Sequence, residues 1–216
     1  VTAMKIALCL SGLARLHAIS AASWGRILGK YNPDVYIHTW SEGDDGFDTL
    51  HNLTWIFNPR GIQIDPLPVI DTSPYPDRHW PYIDVYRSLS MWTSIERAYN
   101  MAKSINNEYD IIIRARMDFY VENLQLIPFD GITLPFDTDK IVLRFPYQGL
   151  DIHGFNDHFS YGPRKWMDIY TNTLHEIPIL YSQEGVDYCP ENFLAANLTK
   201  NKVPLMLQRM KHKLIR

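Results

Sequence analysis

Residues 5–40 read KIALCLSGLARLHAISAASWGRILGKYNPDVYIHTW, and the succession of patterns in this stretch decides the fold. Lys5 to Leu10 is a short apolar run closed by Ser11-Gly12, the pattern of a buried strand running into a loop. From Leu13 to Tyr31, residues Leu16, Ile19, Ser23, Arg26, Ile27 and Lys30 fall at helical spacing. Asn32-Pro33 ends that run, because proline cannot continue a helix. Asp34 to Trp40 then reads as a second strand. Strand, helix and strand in this order make a β-α-β unit, the signature of a mainly parallel sheet.

Outward from there, Ser41 to Asp48 is acidic and glycine-containing, so it reads as a loop. Thr54 to Phe57 and Gly61 to Ile64 are predicted as further strands. Asp65 to Pro81 holds Pro66, Pro68, Pro74, Pro76 and Pro81, a long surface connection of the kind that carries function. Tyr86 to Ile105 places Leu89, Trp92, Ile95, Tyr99 and Ala102 on one helical face. Tyr109 to Asp118 is a β-branched strand ending in charge. A strand over Lys140 to Phe145, a polar-aromatic segment from Gly154 to Gly162 and a helix from Pro163 to Leu174 follow. A helix from Pro190 to Asn201, a Val203 to Leu207 strand and a basic tail complete the chain. Without repeats or low-complexity tracts, residues 1–216 are expected to form one α/β domain with a mainly parallel, Rossmann-like sheet flanked by helices.

Composition bounds the function. Of 216 residues, 21 are Lys or Arg and 24 Asp or Glu, a formal charge of −3. Near neutrality argues against a protein held on nucleic acid by its overall field. Apolar residues at 46% argue against disorder. Aromatic residues are 13%, enough both to fill a core and to line a site for a ring-shaped ligand. Trp92, Tyr99, Trp55, Phe57 and Trp166 are expected in the core. Trp40, Phe155, Phe159 and Tyr161 are expected beside a ligand. Cys9 and Cys189 are too far apart for a zinc spacing or a disulfide framework, so both read as free thiols of a reducing, cytoplasmic compartment. No apolar run reaches the roughly 18 residues of a membrane span, and the N-terminal run is too short for a signal peptide.

Ligands in open parallel sheets bind beyond the carboxyl ends of strands. Ser11, Gly12 and Arg15 stand at the first such end, offering a hydroxyl, close backbone approach and a guanidinium for phosphate. The stretch is neither G-x-G-x-x-G nor a P-loop. His38 and Trp40 stand at the second end, a donor for phosphate and an indole for a base or sugar. In the strand from Tyr109 to Asp118, alternation puts Arg114, Arg116 and Asp118 on one side, with Ala115 and Met117 on the other. Two guanidiniums and a carboxylate where a strand leaves the core fit a bound diphosphate, or else an internal ion-pair network. Between Asp151 and His158, acids, amides and imidazoles alternate with aromatics, as sugar hydroxyls and ring faces require. Asp157 is the candidate acceptor-binding residue or general base there. The basic tail, with Arg209, Lys211, His212, Lys213 and Arg216, reads as a solvated end or as a closure over a diphosphate.

These motifs, KIALCLSG with Arg15, DVYIHTW, SMWTSIERA at 90–98 and Tyr109-Asp110 to Asp118, resemble the small GT-A-type, nucleotide-sugar-dependent glycosyltransferases of viruses and bacteria. The resemblance covers most of the chain and implies a GT-A-like fold and transfer of a sugar from a nucleotide diphosphate to a hydroxyl acceptor in glycan biosynthesis. It implies that Ser11, Gly12 and Arg15 hold the nucleotide, that Arg87 and Ser90 help to line the donor pocket, and that Glu191 is an alternative base. In that family a D-x-D motif binds Mn²⁺ or Mg²⁺. Here the matching stretch is Arg116-Met117-Asp118, so Asp118 remains as the metal or donor-sugar residue, and Arg116 replaces the first acid. Two other readings stay open: a metal-dependent hydrolase on Asp151, His153 and His158, and a carbohydrate- or nucleotide-binding module without turnover.

Overall fold

The computed structural model describes residues 4–14, 21, 24–25, 28–29, 31–42, 49–75, 83–106, 108–121, 139–144, 154–208 and 212–214. Four parallel strands form one side of a seven-stranded sheet: β1 (Ile6–Ser11), β2 (Asp34–Trp40), β3 (Gly61–Asp65) and β4 (Ile111–Arg116). Beyond β4 lie β7 (Phe159–Pro163), β6 (Ile141–Arg144) and β8 (Leu205–Gln208), giving the order β3-β2-β1-β4-β7-β6-β8. β7 runs antiparallel to both neighbours, and β8 is again parallel to β6. A separate two-stranded ribbon pairs β5 (Phe119–Val121) with β9 (His212–Leu214).

The central strands are apolar throughout because both faces are covered. Every residue of β1 is buried. Leu8 and Leu10 face one core layer with Ile37, Ile113 and Ala115. Ala7 and Cys9 face the other, with Tyr36 and Ile112. Continuous burial removes the polar alternation that a half-exposed strand would show.

The second layer is made by α2 (Val85–Ile105), which follows α1 (Thr49–Phe57) in the chain. Asp84 caps α2 by accepting from Arg87 N, satisfying one of the orphan donors of the first turn. Trp92, Ile95, Ala98, Tyr99 and Ala102 are all buried. Three further helices cover the same face around Met167, Tyr170, Leu180, Phe193 and Leu198: α3 (Arg164–Thr171), α4 (Thr173–Ser182) and α5 (Pro190–Lys200).

Several expectations are corrected. Thr54 to Phe57 is the end of a helix, not a strand, and Trp55 is 82% exposed, whereas Phe57 is buried. The helix expected over Pro163 to Leu174 is two helices, parted at Asn172. Phe159 and Tyr161 are not beside a ligand. They are 1% and 3% exposed, and Phe159 stacks on Phe119 with centroids 5.4 Å apart. Both cysteines are free and buried. Among the described residues no helix is long and apolar enough to cross a membrane. Most of the helix expected over Leu13 to Tyr31 lies outside the described residues, as do Arg15, Asp151, His153, Arg209, Lys211 and Arg216.

Candidate active site

The register of the parallel strands sets a polar row at their carboxyl edge. Gln63, His38, Ser11 and Arg116 are successive partners across β3, β2, β1 and β4. They share the face of Tyr36, Cys9 and Ile112, because side chains two apart on a strand point the same way. Ser11 is 1% exposed, and its Oγ has no hydrogen-bond partner. Its carbonyl accepts from Met117 N at 3.1 Å, which fastens the end of β1 to the turn after β4. Gly12 has φ of +105°, a conformation that side chains other than glycine's rarely adopt.

β4 brings its charges out as alternation requires. Arg116 donates twice to Asp118, Nε to Oδ1 and Nη2 to Oδ2, both at 2.8 Å. Arg114 is 1% exposed, and none of its three nitrogens has a hydrogen-bond partner. It stands opposite Ser160 in the register of β7 and close enough to Tyr170 to act on its hydroxyl. A buried guanidinium without a bonded counter-ion is costly; two acids, Asp157 and Glu191, share with Arg114 the neighbourhood of the Tyr170 hydroxyl.

Those neighbours come from the segment before β7 and the first turn of α5. Asp157 is 2% exposed, with Oδ1 3.4 Å from His158 Nε2. The Arg116 amide donates to His158 O at 3.1 Å, placing this segment against the end of β4. Glu191 opens α5, where Pro190 takes the first helical position that suits it. Burial, and then the negative charge of Asp157, push the Glu191 carboxyl up to about 7, while Arg116 partly offsets the rise. The Cys189 thiol donates to Glu191 Oε2 at 3.0 Å, and burial raises the thiol's own pKa. Phe155 N donates to Glu191 O at 3.1 Å. A Cβ on Gly154 would come within 2.2 Å of the Glu191 carbonyl carbon, so only glycine fits this crossing. A carboxyl raised toward neutrality beside a second carboxyl is the equipment of acid–base chemistry.

The residues at the Arg116-Met117-Asp118 stretch do not fit a divalent cation as they stand. Each Asp118 oxygen already accepts from Arg116, and a guanidinium occupies the place of a second carboxylate. Among the described residues, no group of three or more His, Cys, Asp or Glu side chains comes together as a ligand set. Of the residues for a hydrolytic metal centre only His158 is described, paired with Asp157.

The structure thus brings together Ser11, Gly12, Arg114, Arg116, Asp118, Asp157 and Glu191. It places the other expected residues differently. His38 is fully buried, with both ring nitrogens engaged by protein. Trp40 is 5% exposed, edge-on to His38, with Arg97 over its ring at 5.2 Å. Arg87 lies 3.3 Å from Asp84 at the exposed start of α2, and Ser90 donates to Tyr86 O within the helix. Ser94, which its sequence neighbours place on a solvated face, is fully buried and donated to by Gly12 N at 2.8 Å. Sequence reasoning missed Ser94, Asp65, Arg97 and Cys189. One signal was present: Ser88, Ser90 and Ser94 widen the buried arc of α2 beyond its apolar stripe, and small polar residues on such an arc mark close approach to another backbone.

No family model matches this sequence, and no curated protein matches it. Solved structures do. The glycosyltransferase GlyE of Streptococcus pneumoniae TIGR4 superposes with a TM-score of 0.50 at 12% identity, over 95% of this chain and 45% of that one. A glycosyltransferase involved in glycosylation of the major capsid of PBCV-1 gives 0.49 at 9% identity, over 95% and 82%. The galactosyltransferase LgtC, solved with donor and acceptor sugar analogues, gives 0.48 at 13%, over 94% and 73%. The chain spans less than half the length of the GlyE chain, and at these identities the likeness is one of architecture. The chain has the GT-A-type glycosyltransferase fold.

Proposed function

We propose that the protein is a nucleotide-sugar-dependent glycosyltransferase acting on a hydroxyl acceptor in glycan biosynthesis. The observation that carries the reading is the half-buried Glu191 beside the buried Asp157, standing against Arg116 at the carboxyl edge of a sheet with this fold. A carboxyl titrating near 7 is matched to general-base work at neutral pH. Glu191 takes the acceptor's hydroxyl proton as that oxygen bonds to the anomeric carbon. The bond from that carbon to the diphosphate oxygen breaks, and the pair of electrons leaves with the diphosphate. Arg116 and the Ser11 hydroxyl face the charge that develops there. Fixed donors in a water-poor site stabilise such charge without reorganising. Asp157 keeps Glu191 basic through its own negative charge. With Asp118 committed to Arg116, the diphosphate is neutralised by guanidinium, not by Mn²⁺ or Mg²⁺.

A thermal-shift screen of UDP-, GDP- and dTDP-sugars, each with Mn²⁺ and with EDTA, tests this. One nucleotude series is expected to raise the melting temperature in EDTA, because a ligand bound only by the folded state stabilises it. Asp118→Ala removes the carboxylate that fixes the orientation of Arg116 and is expected to abolish sugar transfer. No shift with any of the nucleotides removes the reading, and binding without turnover leaves a binding module.

A further inference from the structure

Gly12, Ser94, His38, Asp65 and Arg97 form one unbroken polar chain drawn from three strands and α2. Gly12 N donates to Ser94 Oγ at 2.8 Å. Ser94 Oγ lies 2.8 Å from His38 Nδ1 and 3.2 Å from His38 O. His38 Nε2 lies 3.1 Å from Asp65 Oδ2, which also accepts from Arg97 Nη1 and, at 2.7 Å, from Gln63 Nε2. Ser94 and His38 are both 0% exposed, so no water supplies an alternative partner.

Hydrogen counting fixes the direction of this chain. A neutral imidazole has one N–H, and a carboxylate has none to give. Nε2 therefore donates to Asp65, and Nδ1 accepts. The Ser94 hydroxyl hydrogen must then point to Nδ1, which leaves the oxygen's lone pairs for the Gly12 amide. Burial, the largest influence, favours the neutral ring; Asp65 opposes it and Arg97 reinforces it. Among the described residues those two, from β3 and α2, are the charged groups facing the ring. A proton added to Nδ1 reverses the bond: the imidazolium donates to Oγ, and the hydroxyl hydrogen swings to His38 O. The Ser94 hydroxyl therefore has two settings, chosen by His38, and Gly12 is bonded to the atom that switches.

We propose that His38 is a positioning residue. It acts through Ser94 to hold the Gly12 amide and the turn that presents Ser11 to a nucleoside diphosphate, while its own ring touches no ligand. The ligand half rests on the glycosyltransferase reading, and the relay itself does not.

The test follows the Gly12 amide by NMR in the ligand-free protein, and donor kinetics with the nucleotide sugar that shifts the wild type. Ser94→Ala, which removes only a hydroxyl, and His38→Ala are expected to move the Gly12 resonance upfield and speed its hydrogen exchange about fivefold, as loss of a hydrogen bond of about 1 kcal/mol implies. Both are expected to raise the donor KM about tenfold with kcat little changed. His38→Asn places an amide oxygen near the Nδ1 position and is expected to restore both readouts, although it loses Asp65. Below the pH at which His38 takes up its proton, the wild-type Gly12 resonance is expected to shift as a titration curve that Ser94→Ala abolishes. A Gly12 amide unmoved in His38→Ala overturns the proposal, whatever the nucleotide results. An amide that moves while KM stays constant overturns the positioning role. A wild type that binds no nucleotide overturns the glycosyltransferase reading, and the amide still judges the relay.

Discussion

Glu191 stands beside the buried Asp157, and a second negative charge there is harder to make than the first. The folded chain accordingly holds the Glu191 proton to about pH 7, whereas the unfolded chain releases it near the ordinary 4.5. A group raised in this way contributes its full stability below about 4.5, and that contribution is lost as pH rises through about 7. The difference amounts to roughly 3 kcal/mol at the alkaline limit. Glu191→Gln keeps the shape and removes the charge, so its melting temperature is expected to match the wild type near pH 5 and exceed it near pH 8.5. The same variant is expected to lose about 10²–10⁴ in kcat, the usual share of a general base. Wild-type turnover is expected to rise with pH through about 7 and then level off, because the working form is the carboxylate. A variant that keeps full turnover, or is no more stable at pH 8.5, removes Glu191 from this role. Asp157 was legible as an acid in the polar-aromatic segment, and Glu191 as an acid at a helix start. Which of them titrates near neutrality was not, because that depends on their burial together.

At the scale of elements, α2 carries the site from behind: its apolar stripe anchors it to the sheet, and its serines touch the strand ends. The cap at Asp84 sets where its first turn begins. Asp84→Ala is expected to cost about 1 kcal/mol in urea unfolding, with the Gly12 contact at Ser94, about three turns further on, unchanged. A loss well above that would mean the capping bond is not what Asp84 contributes. α2 was readable because twenty residues of helical spacing leave little ambiguity. Thr54 to Phe57 was not, since a short apolar run fits a strand and a buried helix end equally well. The second half of the Pro163 bundle was missed because Pro178 lies inside α4, where proline ordinarily argues against a helix. The direction of β7 left no trace in its residues: a fully buried strand shows the same apolar pattern whichever way it runs, so Phe159 and Tyr161 gave no hint of their place in the core.

For the molecule as a whole, the β-α-β opening was enough to foresee a mainly parallel sheet. The sheet joins two parts of different character. β1, β2 and β3 follow one another along the chain, whereas β1 meets β4 by pairing Ile6 with Ile111. Closing a long loop costs entropy before the pairing returns anything, and distant pairings slow folding. Pulse-labelled hydrogen exchange during refolding from urea is expected to protect β1 and β2 amides against each other before those of β4 and β7. Simultaneous protection of all four strands would contradict this order. Ser11 and Arg116 stand on opposite sides of that late joint, so the site is completed only when the joint closes.

The small ribbon of β5 and β9 has a consequence of another kind. β5 begins at Phe119, the residue after Asp118, and its partner strand is residues 212–214. A protease that cleaves between Gln208 and His212 therefore releases the strand held one residue from the candidate donor-binding carboxylate, while β8 keeps its place in the main sheet. Activity lost on trimming that end would report a released latch at the site, not a damaged core.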